Sequence, residues 1–330
     1  MSDRMISVVC PFFNEEAIIE ASVRLMLDSL AKLPEEWELI IVDDGSRDGS
    51  LALARALAAQ HPQLRVLSYA VNRGRGYAIR TGVAQARGDI VITTEIDSSW
   101  GDDIAARIAA ELRKRPDADI VIASPHLPEG GYRNVPLWRV VLSSVGNYVI
   151  RSGLSYSVTM NTGMTRGYRR EKFLALPLDE DEKEMHLEIV SKAIALGYRI
   201  HEIPAVLEWR THELAGSQAQ KRKSSSVSNR LIRTHVLFSL LAAPFRYIYV
   251  VAAGLAGVAG VFFVWSVVNL LTHRVAAYLF LSSLLIGVLA FLVFGIGVLA
   301  QQAGVLQRDL WRLRSELRAR NRAPTDGSNP

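Results

Sequence analysis

Cysteine is almost absent from this chain of 330 residues, because Cys10 is the only one. A single cysteine cannot form a disulfide within one chain, which excludes a disulfide-stapled fold and favours a reducing compartment. The first residues also lack the apolar stretch of a secretory leader, since Met1–Ile6 is polar and Val8–Phe13 is short. We therefore expect no cleaved signal peptide.

Charge is scarce in one long region, because only Arg274 is charged at neutral pH between residues 247 and 307. Tyr247–Leu271 has 25 residues and Val275–Ala300 has 26. Each stretch exceeds the roughly 20 apolar residues that cross a bilayer core of about 30 Å. Only three residues separate the two stretches, so the sequence predicts a hairpin of two transmembrane helices.

Basic residues follow this hairpin. The tail, residues 308–330, has six arginines against three acidic residues, so the positive-inside rule predicts that it is cytoplasmic. Two spans return the chain to its starting side, which predicts a cytoplasmic domain over residues 1–228 of a cell-membrane protein. Residues 229–246 mix arginines with large apolar residues at helical spacing, which predicts an interfacial helix. A core helix of the domain is the alternative.

The excess of positive charge indicates anionic lipid head groups, and not nucleic acid, as the partner, because the arginines follow a membrane span. Gly254, Gly257 and Gly260 would allow another helix to pack closely in the membrane. A homo-oligomer is therefore an open possibility.

The chain alternates short β-branched strands with helices as far as residue 124. The predicted strands are Ile6–Cys10, Glu38–Val42, Leu64–Ser68, Asp89–Thr93 and Ile120–Ala123. The predicted helices are Glu15–Leu33, Ser50–Gln60, Tyr77–Ala86, Asp102–Lys114 (capped by Asp102), Leu137–Ile150 and Glu184–Leu196. This alternation predicts an α/β fold with a Rossmann-like, mostly parallel sheet. In such sheets ligands bind at the carboxyl ends of the strands.

Polar clusters follow each of the first three strands. Carboxylates in the turn after the second strand can accept hydrogen bonds from a base edge or from ribose hydroxyls, so we favour ligand binding for Asp43 and Asp44. For Asp48 and Gly49 we favour a turn that caps the next helix. After the third strand, two glycines allow close backbone approach and their neighbouring arginines supply positive charge for a diphosphate. This cluster, Asn72–Tyr77, lacks the spacing of a dinucleotide fingerprint.

The fourth strand leads into two carboxylates, Glu95 and Asp97, at positions i and i+2. Such a pair can hold one divalent cation, Mg²⁺ or Mn²⁺, between itself and a diphosphate, because both ions prefer oxygen ligands. A pair of solvated loop acids is the alternative.

In this order the clusters resemble the family 2 glycosyltransferases, and more closely the polyprenol-phosphate glycosyltransferases such as dolichol-phosphate mannose synthase. The matching motifs are P-x-x-N-E at Pro11–Glu15, V-D-D-G-S at Val42–Ser46, N-x-G-x-G at Asn72–Gly76 and an acidic pair at Glu95–Asp97. The resemblance covers about residues 6–215. It implies a glycosyltransferase A fold, a nucleotide-sugar donor, a divalent cation and inverting transfer to a polyprenyl phosphate.

The resemblance also implies roles for individual residues. The nucleotide would contact Pro11, Phe13, Glu15, Asp43, Asp44, Arg73, Gly74 and Gly76. The metal would be held by Glu95 and Asp97, and the donor sugar would contact Glu188. The acceptor phosphate and the diphosphate would be held by Arg139, Ser143, Arg210, Ser217 and Lys223, with Asp97, Arg139 and Arg210 as the catalytic residues. Lys223 belongs to a basic loop that could equally be solvated near anionic lipid.

Three positions depart from the family pattern. Glu95 replaces the more usual aspartate, which lengthens one ligand arm. Pro125–His126 stands where the family often has an arginine, and His126 either replaces it in part or is an ordinary loop histidine. Thr162–Met164 replaces a more usual Ser-Gly-Phe.

The expected acceptor decides whether a general base is needed. A phosphomonoester has a second pKa near 6, so a polyprenyl phosphate is mostly dianionic at neutral pH and needs no residue to remove a proton.

Transfer to another lipid, such as a diacylglycerol hydroxyl, would need a base from Asp179–Glu184. A weakly catalytic membrane scaffold is the non-enzymatic alternative. A processive polysaccharide synthase is disfavoured, because two spans cannot enclose a channel. We expect a UDP-sugar donor in preference to a GDP-sugar donor, but only as a general expectation for a bacterial-type enzyme.

Overall fold

The structure is a computed structural model that describes residues 5–138, 140–141, 143–144, 158–182, 184–208, 244–272 and 277–320. The chain forms two compact units. We call the first the sheet unit; its described residues are those up to Glu208 together with Trp311–Arg320. The second, the hairpin unit, contains the described residues from Pro244 to Leu310.

The sheet unit alternates strands and helices as predicted. Its strands are β1 (Ile6–Phe12), β2 (Trp37–Asp43), β3 (Leu64–Ser68), β4 (Ile90–Thr93), β5 (Ile120–Ser124), β6 (Gly131–Arg133), β7 (Arg166–Arg169), β8 (Ile200–Pro204) and β9 (Val206–Glu208). Its helices are α1 (Ile19–Leu30), α2 (Ser50–Ala58), α3 (Arg75–Gln85), α4 (Ile104–Lys114), α5 (Arg170–Ala175) and α6 (Met185–Ala195). The predicted elements that fall on described residues are confirmed, with ends that shift by a few residues. The predicted cap Asp102 is wrong, because α4 begins at Ile104 after Asp103 and no side chain caps it.

Seven strands form one sheet in the order β3-β2-β1-β4-β7-β5-β8, and β6 pairs with β9 in a small second sheet. All neighbours in the large sheet are parallel except β7, which is antiparallel to both β4 and β5. The predicted α/β class with a mostly parallel sheet is therefore confirmed. Because β1, β2 and β4 are parallel neighbours, the turns after these strands meet at one edge of the sheet.

The core lies between the sheet and its covering helices. Every residue of β1 is buried, as expected for a parallel strand covered on both faces. Helix α4 packs a stripe of Ile104, Ile108 and Leu112 against the sheet. Gly167 of β7 makes this possible, because a Cβ there would lie 2.2 Å from Cγ2 of Ile108. The antiparallel strand can therefore pass directly beneath α4.

The carboxylate of Glu38 is buried near the amino-terminal ends of the central strands. The Glu38 side chain accepts hydrogen bonds from the Ser7 hydroxyl at 2.7 Å, from Arg65 Nη1 at 2.7 Å and from the Arg87 amide at 2.7 Å. Burial alone would raise the pKa of Glu38, but these hydrogen bonds and the charge of Arg65 outweigh it and lower the pKa. Glu38 is therefore an ionised structural residue.

The hairpin unit consists of α7 (Pro244–Leu271) and of α8 (Ala277–Arg320) as far as Leu310. Ile248–Leu271 and α8 are both long and apolar enough to cross a membrane, with mean hydropathies of 2.2 and 2.7 over their most apolar windows. Helix α8 does not end near Ala300, where the second span was predicted to end, but continues to Arg320. Residues 229–243 lie outside the described residues, so the interfacial helix stays a prediction.

Small residues allow the two long helices to pack closely. Gly297 of α8 lies against the Tyr249 ring, which would be 2.8 Å from an added Cβ, and the Tyr249 hydroxyl donates to Gln301 Oε1 at 2.8 Å. Gly254, Gly257 and Gly260 lie elsewhere on α7. No atom of the described residues comes within 4 Å of a Cβ added at these three glycines. Their predicted role in an oligomer therefore stays a prediction.

Candidate active site

The turns after β1 and β2 form one surface at the carboxyl edge of the sheet. Asn14, with a φ of 54°, accepts a hydrogen bond from the Arg47 amide at 2.8 Å. The amide of Asn14 donates to the Ser46 hydroxyl at 2.9 Å, and that of Glu15 to the Ser50 hydroxyl at 2.8 Å. Asp48 accepts from the Ser50 amide at 3.1 Å, so its predicted turn role is confirmed. These bonds fix the two turns that carry the predicted nucleotide contacts.

Asp44 holds the loop that follows β3. Its carboxylate accepts hydrogen bonds from the Tyr69 hydroxyl at 2.7 Å, Asn72 Nδ2 at 3.0 Å, the Arg73 amide at 2.8 Å and the Gly74 amide at 3.0 Å. Burial and the bond to Asp44 raise the pKa of Tyr69, so its phenol stays a donor. Asp44 is thus occupied by protein donors, and its contact with a nucleoside stays a prediction.

The other predicted nucleotide contacts differ in exposure. Asp43 is buried and accepts from the Ser46 amide at 3.0 Å through one oxygen, Oδ1. Pro11 is buried within β1, whereas the Phe13 ring beyond the strand is 40% exposed. Phe13 is therefore an aromatic side chain at this edge that a base can reach.

Glu95 and Asp97 lie just beyond β4. Asp97 Oδ1 accepts from the Ser99 amide at 3.1 Å, and Glu95 Oε2 accepts from the Ser99 hydroxyl at 3.0 Å and from Trp100 Nε1 at 3.3 Å. Burial, and then the negative charge of Asp97, raise the pKa of Glu95. The predicted pair is thus brought together in a place where negative charge is in excess.

The buried Cys10 thiol reports how closely the carboxylates converge. Burial raises the pKa of Cys10 well above its usual range, and the charges of Asp97, Glu95 and Glu15 raise it further. Three acidic side chains that the sequence places after two different strands therefore act on one buried thiol of β1. Their like charges favour a cation as ligand.

The residues present fit a divalent cation that is shared with a substrate. No group of three or more His, Cys, Asp or Glu side chains suitable for a metal occurs among the described residues. Glu95 and Asp97 instead supply two carboxylates whose negative charges repel each other, with Arg75 at 3.9 Å from Glu95. Magnesium is commonly held by one or two carboxylates together with substrate phosphates, and this is the arrangement that the pair can provide.

The two arginines of the glycine-rich cluster, which were both expected to supply charge for a diphosphate, have different partners. Arg73 stacks its guanidinium on the Tyr77 ring, 3.6 Å from the ring centre, and pairs with Asp181 at 3.5 Å. Arg75 instead directs Nη1 toward Glu95 Oε1, at 3.9 Å, and is half exposed. Of the two arginines in this cluster, Arg75 is therefore the one that lies beside the carboxylate pair.

The glycines of this cluster are approached by four consecutive acidic residues, Asp179–Glu182, which we call the acidic segment. A Cβ at Gly74, where φ is 94°, would lie 2.6 Å from the Asp181 carbonyl oxygen, and one at Gly76 would lie 2.7 Å from it. The Tyr77 amide donates to the same oxygen at 3.0 Å. The close approach predicted for a diphosphate is thus made here by the chain itself, and contact of these glycines with a ligand stays a prediction.

Glu188 anchors the acidic segment. Its Oε1 accepts from the Asp179 amide at 2.9 Å, its Oε2 accepts from the Glu180 amide at 3.0 Å, and Lys192 Nζ lies 2.6 Å from Oε1. Glu188 is only 6% exposed. The described contacts give it a structural role that the sequence did not reveal, and its contact with a donor sugar stays a prediction.

The acceptor side is only partly described. Arg139, Arg210, Ser217 and Lys223 lie outside the described residues. Ser143 hydrogen-bonds with Tyr132, whose hydroxyl lies 3.1 Å from His126 Nε2. Burial lowers the pKa of His126, so its ring is neutral at neutral pH and cannot replace an arginine's charge.

Known proteins resemble this chain over most of its length. The undecaprenyl-phosphate 4-deoxy-4-formamido-L-arabinose transferase of Pseudomonas aeruginosa PAO1 is 27% identical over 324 residues, which cover 96% of this chain and 88% of that protein. The transferase of the same name from Photorhabdus laumondii is 25% identical over 325 residues, covering 97% of this chain and 92% of that protein.

Solved structures show the same fold. Glucosyl-3-phosphoglycerate synthase from Mycobacterium tuberculosis, crystallised with Mn²⁺, UDP and glucosyl-3-phosphoglycerate, superposes with a TM-score of 0.52 at 23% identity, over 72% of this chain and 80% of that one. The complex of that enzyme with Mg²⁺ and UDP gives 0.51 at 22% identity, covering 72% of this chain and 79% of that one. The family model described as glycosyl transferase family 2 matches residues 7–176, just over half of the chain. The chain therefore belongs to glycosyl transferase family 2, as its motifs predicted.

Proposed function

We propose that this protein transfers a single sugar, with inversion, from a nucleotide sugar to a polyprenyl phosphate at the cytoplasmic face of the cell membrane. The observation that carries the proposal is the pair of Glu95 and Asp97, which faces Arg75 beside the turns after β1 and β2. A diphosphate between the pair and Arg75 would have positive charge on one side and a metal-binding site on the other.

A divalent cation, Mg²⁺ or Mn²⁺, would be held by Glu95 and Asp97 and would supply charge neutralisation for the leaving nucleoside diphosphate. Arg75 would bind the same diphosphate and stabilise the charge that develops as the bond from the anomeric carbon breaks. Phe13 would stack on the base, and Asp43 would accept from the nucleoside. The fold neighbours bind UDP, which favours a UDP-sugar donor here.

The acceptor is proposed from the relatives and from the long apolar helices. The relatives named above are undecaprenyl-phosphate transferases, and α7 and α8 could hold the enzyme at the bilayer where such a lipid is found. A polyprenyl phosphate is mostly dianionic at neutral pH and attacks without a general base. Arg139, Arg210, Ser143, Ser217 and Lys223 would hold this phosphate for in-line attack, which inverts the anomeric carbon.

Mass spectrometry of lipid products tests the proposal. The purified full chain would be given undecaprenyl phosphate, Mn²⁺ or Mg²⁺, and a panel of nucleotide sugars. We expect a lipid that gains one sugar and keeps one phosphate, with release of a nucleoside diphosphate. A sugar found only on added diacylglycerol would favour the alternative acceptor. Nucleotide binding without any product across the panel would contradict the proposed reaction.

A further inference from the structure

One face of the last turns of α8 is partly buried, although the sequence predicted a basic tail facing lipid. Trp311, Ser315 and Arg318 are partly covered, whereas the residues between and after them are exposed. The spacing i, i+4 and i+7 places these three residues on one face of the helix. We call them the docking face.

The docking face contacts the sheet unit, to which these turns belong. Arg318 Nη1 donates to the Leu176 carbonyl oxygen at 2.5 Å. Ser315 lies beside the Tyr198 phenol, and its hydroxyl offsets part of the rise in the Tyr198 pKa that burial causes. The ammonium of Lys192 lies 5.3 Å from the centre of the Trp311 ring, within the range of a cation–π contact. Each residue of the face thus has its own partner.

One of these partners, Lys192, also binds the acidic segment, and a second, Leu176, lies close to it in the chain. Lys192 is 4% exposed, and its ammonium binds Glu188 at 2.6 Å, Asp179 at 3.1 Å and the Pro177 carbonyl oxygen. Leu176, the acceptor of Arg318, lies three residues before Asp179 in the chain. The docking face therefore contacts Lys192, which binds the acidic segment, and Leu176, which lies close to that segment in the chain.

The acidic segment in turn fixes the start of α3. The Asp181 carboxylate pairs with Arg73 and Arg80, and its carbonyl oxygen accepts from the Tyr77 amide. Arg75 lies between these anchored residues and faces Glu95. Its side chain can be held toward the carboxylate pair only if the first turn of α3 keeps this position.

We propose that the docking face binds the rest of the sheet unit in place of lipid. We propose also that it positions the acidic segment and thereby Arg75, the proposed donor-binding residue. The partner of Trp311, Ser315 and Arg318 is this chain itself. Lys192 and Glu188 are positioning residues, which act on the donor through the acidic segment. The effect on the donor rests on the proposed function, whereas the docking itself does not.

Substitutions of different arginines in the tail distinguish docking from lipid binding. The Arg312, Arg314 and Arg320 side chains are exposed and remain available to anionic head groups. Arg318 is the arginine of the described tail whose guanidinium bonds a backbone carbonyl of the sheet unit. Arg318→Ala and Arg314→Ala therefore remove the same charge, but only Arg318→Ala removes a docking contact.

Hydrogen exchange of the full chain in detergent micelles tests the docking directly. We expect Arg318→Ala and Trp311→Leu to speed amide exchange in residues 174–182 by about fivefold, roughly the effect of losing one hydrogen bond. Arg314→Ala should leave it unchanged, and Trp311→Phe should restore it because a π face returns. Equal exchange in Arg318→Ala and wild type would overturn the docking.

Donor kinetics and vesicle binding complete the test. In an enzyme that makes product, Arg318→Ala should raise the KM for the nucleotide sugar about fivefold, with kcat and the KM for the lipid little changed. Arg314→Ala should leave all three unchanged. Binding to vesicles of phosphatidylglycerol should fall more for Arg314→Ala than for Arg318→Ala, and an equal fall would indicate lipid as the partner of both arginines. If no sugar is transferred at all, the exchange experiment still decides the docking, so the two proposals fail separately.

Discussion

Glu38 lies near the amino-terminal ends of the strands and Glu95 lies beyond their carboxyl ends. The surroundings of the two carboxylates shift their pKa values in opposite directions. Glu38 is paired with Arg65 and accepts hydrogen bonds from Ser7 and from the Arg87 amide, which lower its pKa. Glu95 is half-buried beside another carboxylate, with Arg75 only at 3.9 Å, and its pKa is raised. The chain compensates one negative charge and leaves the other in excess.

The difference separates a carboxylate that serves the fold from one that serves a ligand. A charge needed only for stability is matched by donors of the same chain, because an unmatched one costs free energy. A carboxylate at the carboxyl edge of the sheet whose pKa is raised by burial and by a second carboxylate instead identifies a candidate site.

The largest effect is expected at the carboxylate pair itself. Asp97→Asn removes a proposed metal ligand while keeping the side chain's shape, so kcat/KM for the proposed transfer should fall by at least about 100-fold. Circular dichroism and elution volume should remain those of the wild type. Asp28→Asn, at an exposed position of α1, is the matched control, and wild-type turnover by Asp97→Asn would remove the metal assignment.

At the opposite edge, Glu38→Gln should affect stability but not catalysis. It weakens the charge-assisted hydrogen bonds of a buried carboxylate, which should cost about 2 kcal/mol of the free energy of unfolding. Denaturant unfolding of the sheet unit in the full chain measures this cost. Glu36→Gln, two residues earlier and exposed, should be neutral, and a loss of kcat in folded Glu38→Gln would contradict the structural role.

Glu95→Gln should do the reverse of Glu38→Gln. It removes repulsion from Asp97, so the apparent Tm without cation should not fall. The rise in apparent Tm that Mn²⁺ gives the wild type, about 2–4 °C for each kcal/mol of binding free energy, should be lost. Thermal unfolding with and without Mn²⁺ measures both effects, and a Glu95→Gln variant that keeps the full Mn²⁺ shift would contradict the site.

The smallest expected effect is a pH dependence that belongs to Glu38. Because its folded pKa lies below its unfolded value, its stabilisation is present above the ordinary glutamate pKa, about 4.3, and is lost as the pH falls through the folded pKa. The difference in unfolding free energy between wild type and Glu38→Gln should therefore shrink as the pH is lowered. A difference that grows in acid would mean that the sign is wrong.

Much of the fold follows from hydrophobic periodicity, but β7 does not. The first five strands are short β-branched runs and were predicted within about two residues at each end. Strand β7 begins with Arg166, which is completely buried and bonds the carbonyl oxygens of His186 and Asn161. Because charged residues are rarely buried in full, a run that starts with arginine gives no strand signal.

The site was predictable where it depends on strand ends and unpredictable where it depends on side-chain direction. Glu95 and Asp97 follow a strand, so the parallel sheet places them correctly. Whether Arg73 or Arg75 faces them depends on the turn at Gly74, whose positive φ only the structure reveals. The role of Glu188 was hidden for a related reason, because its partners are backbone amides of the loop before α6, nine and eight residues earlier, and backbone amides carry no sequence signal.

The inaccessible thiol of Cys10 has a practical consequence for labelling. Its side chain is fully buried, and its raised pKa keeps the reactive thiolate scarce at neutral pH. The natural chain therefore serves as an unreactive background for maleimide chemistry. A cysteine introduced at an exposed site such as Leu313 will carry a fluorophore or spin label alone, without removal of any native residue.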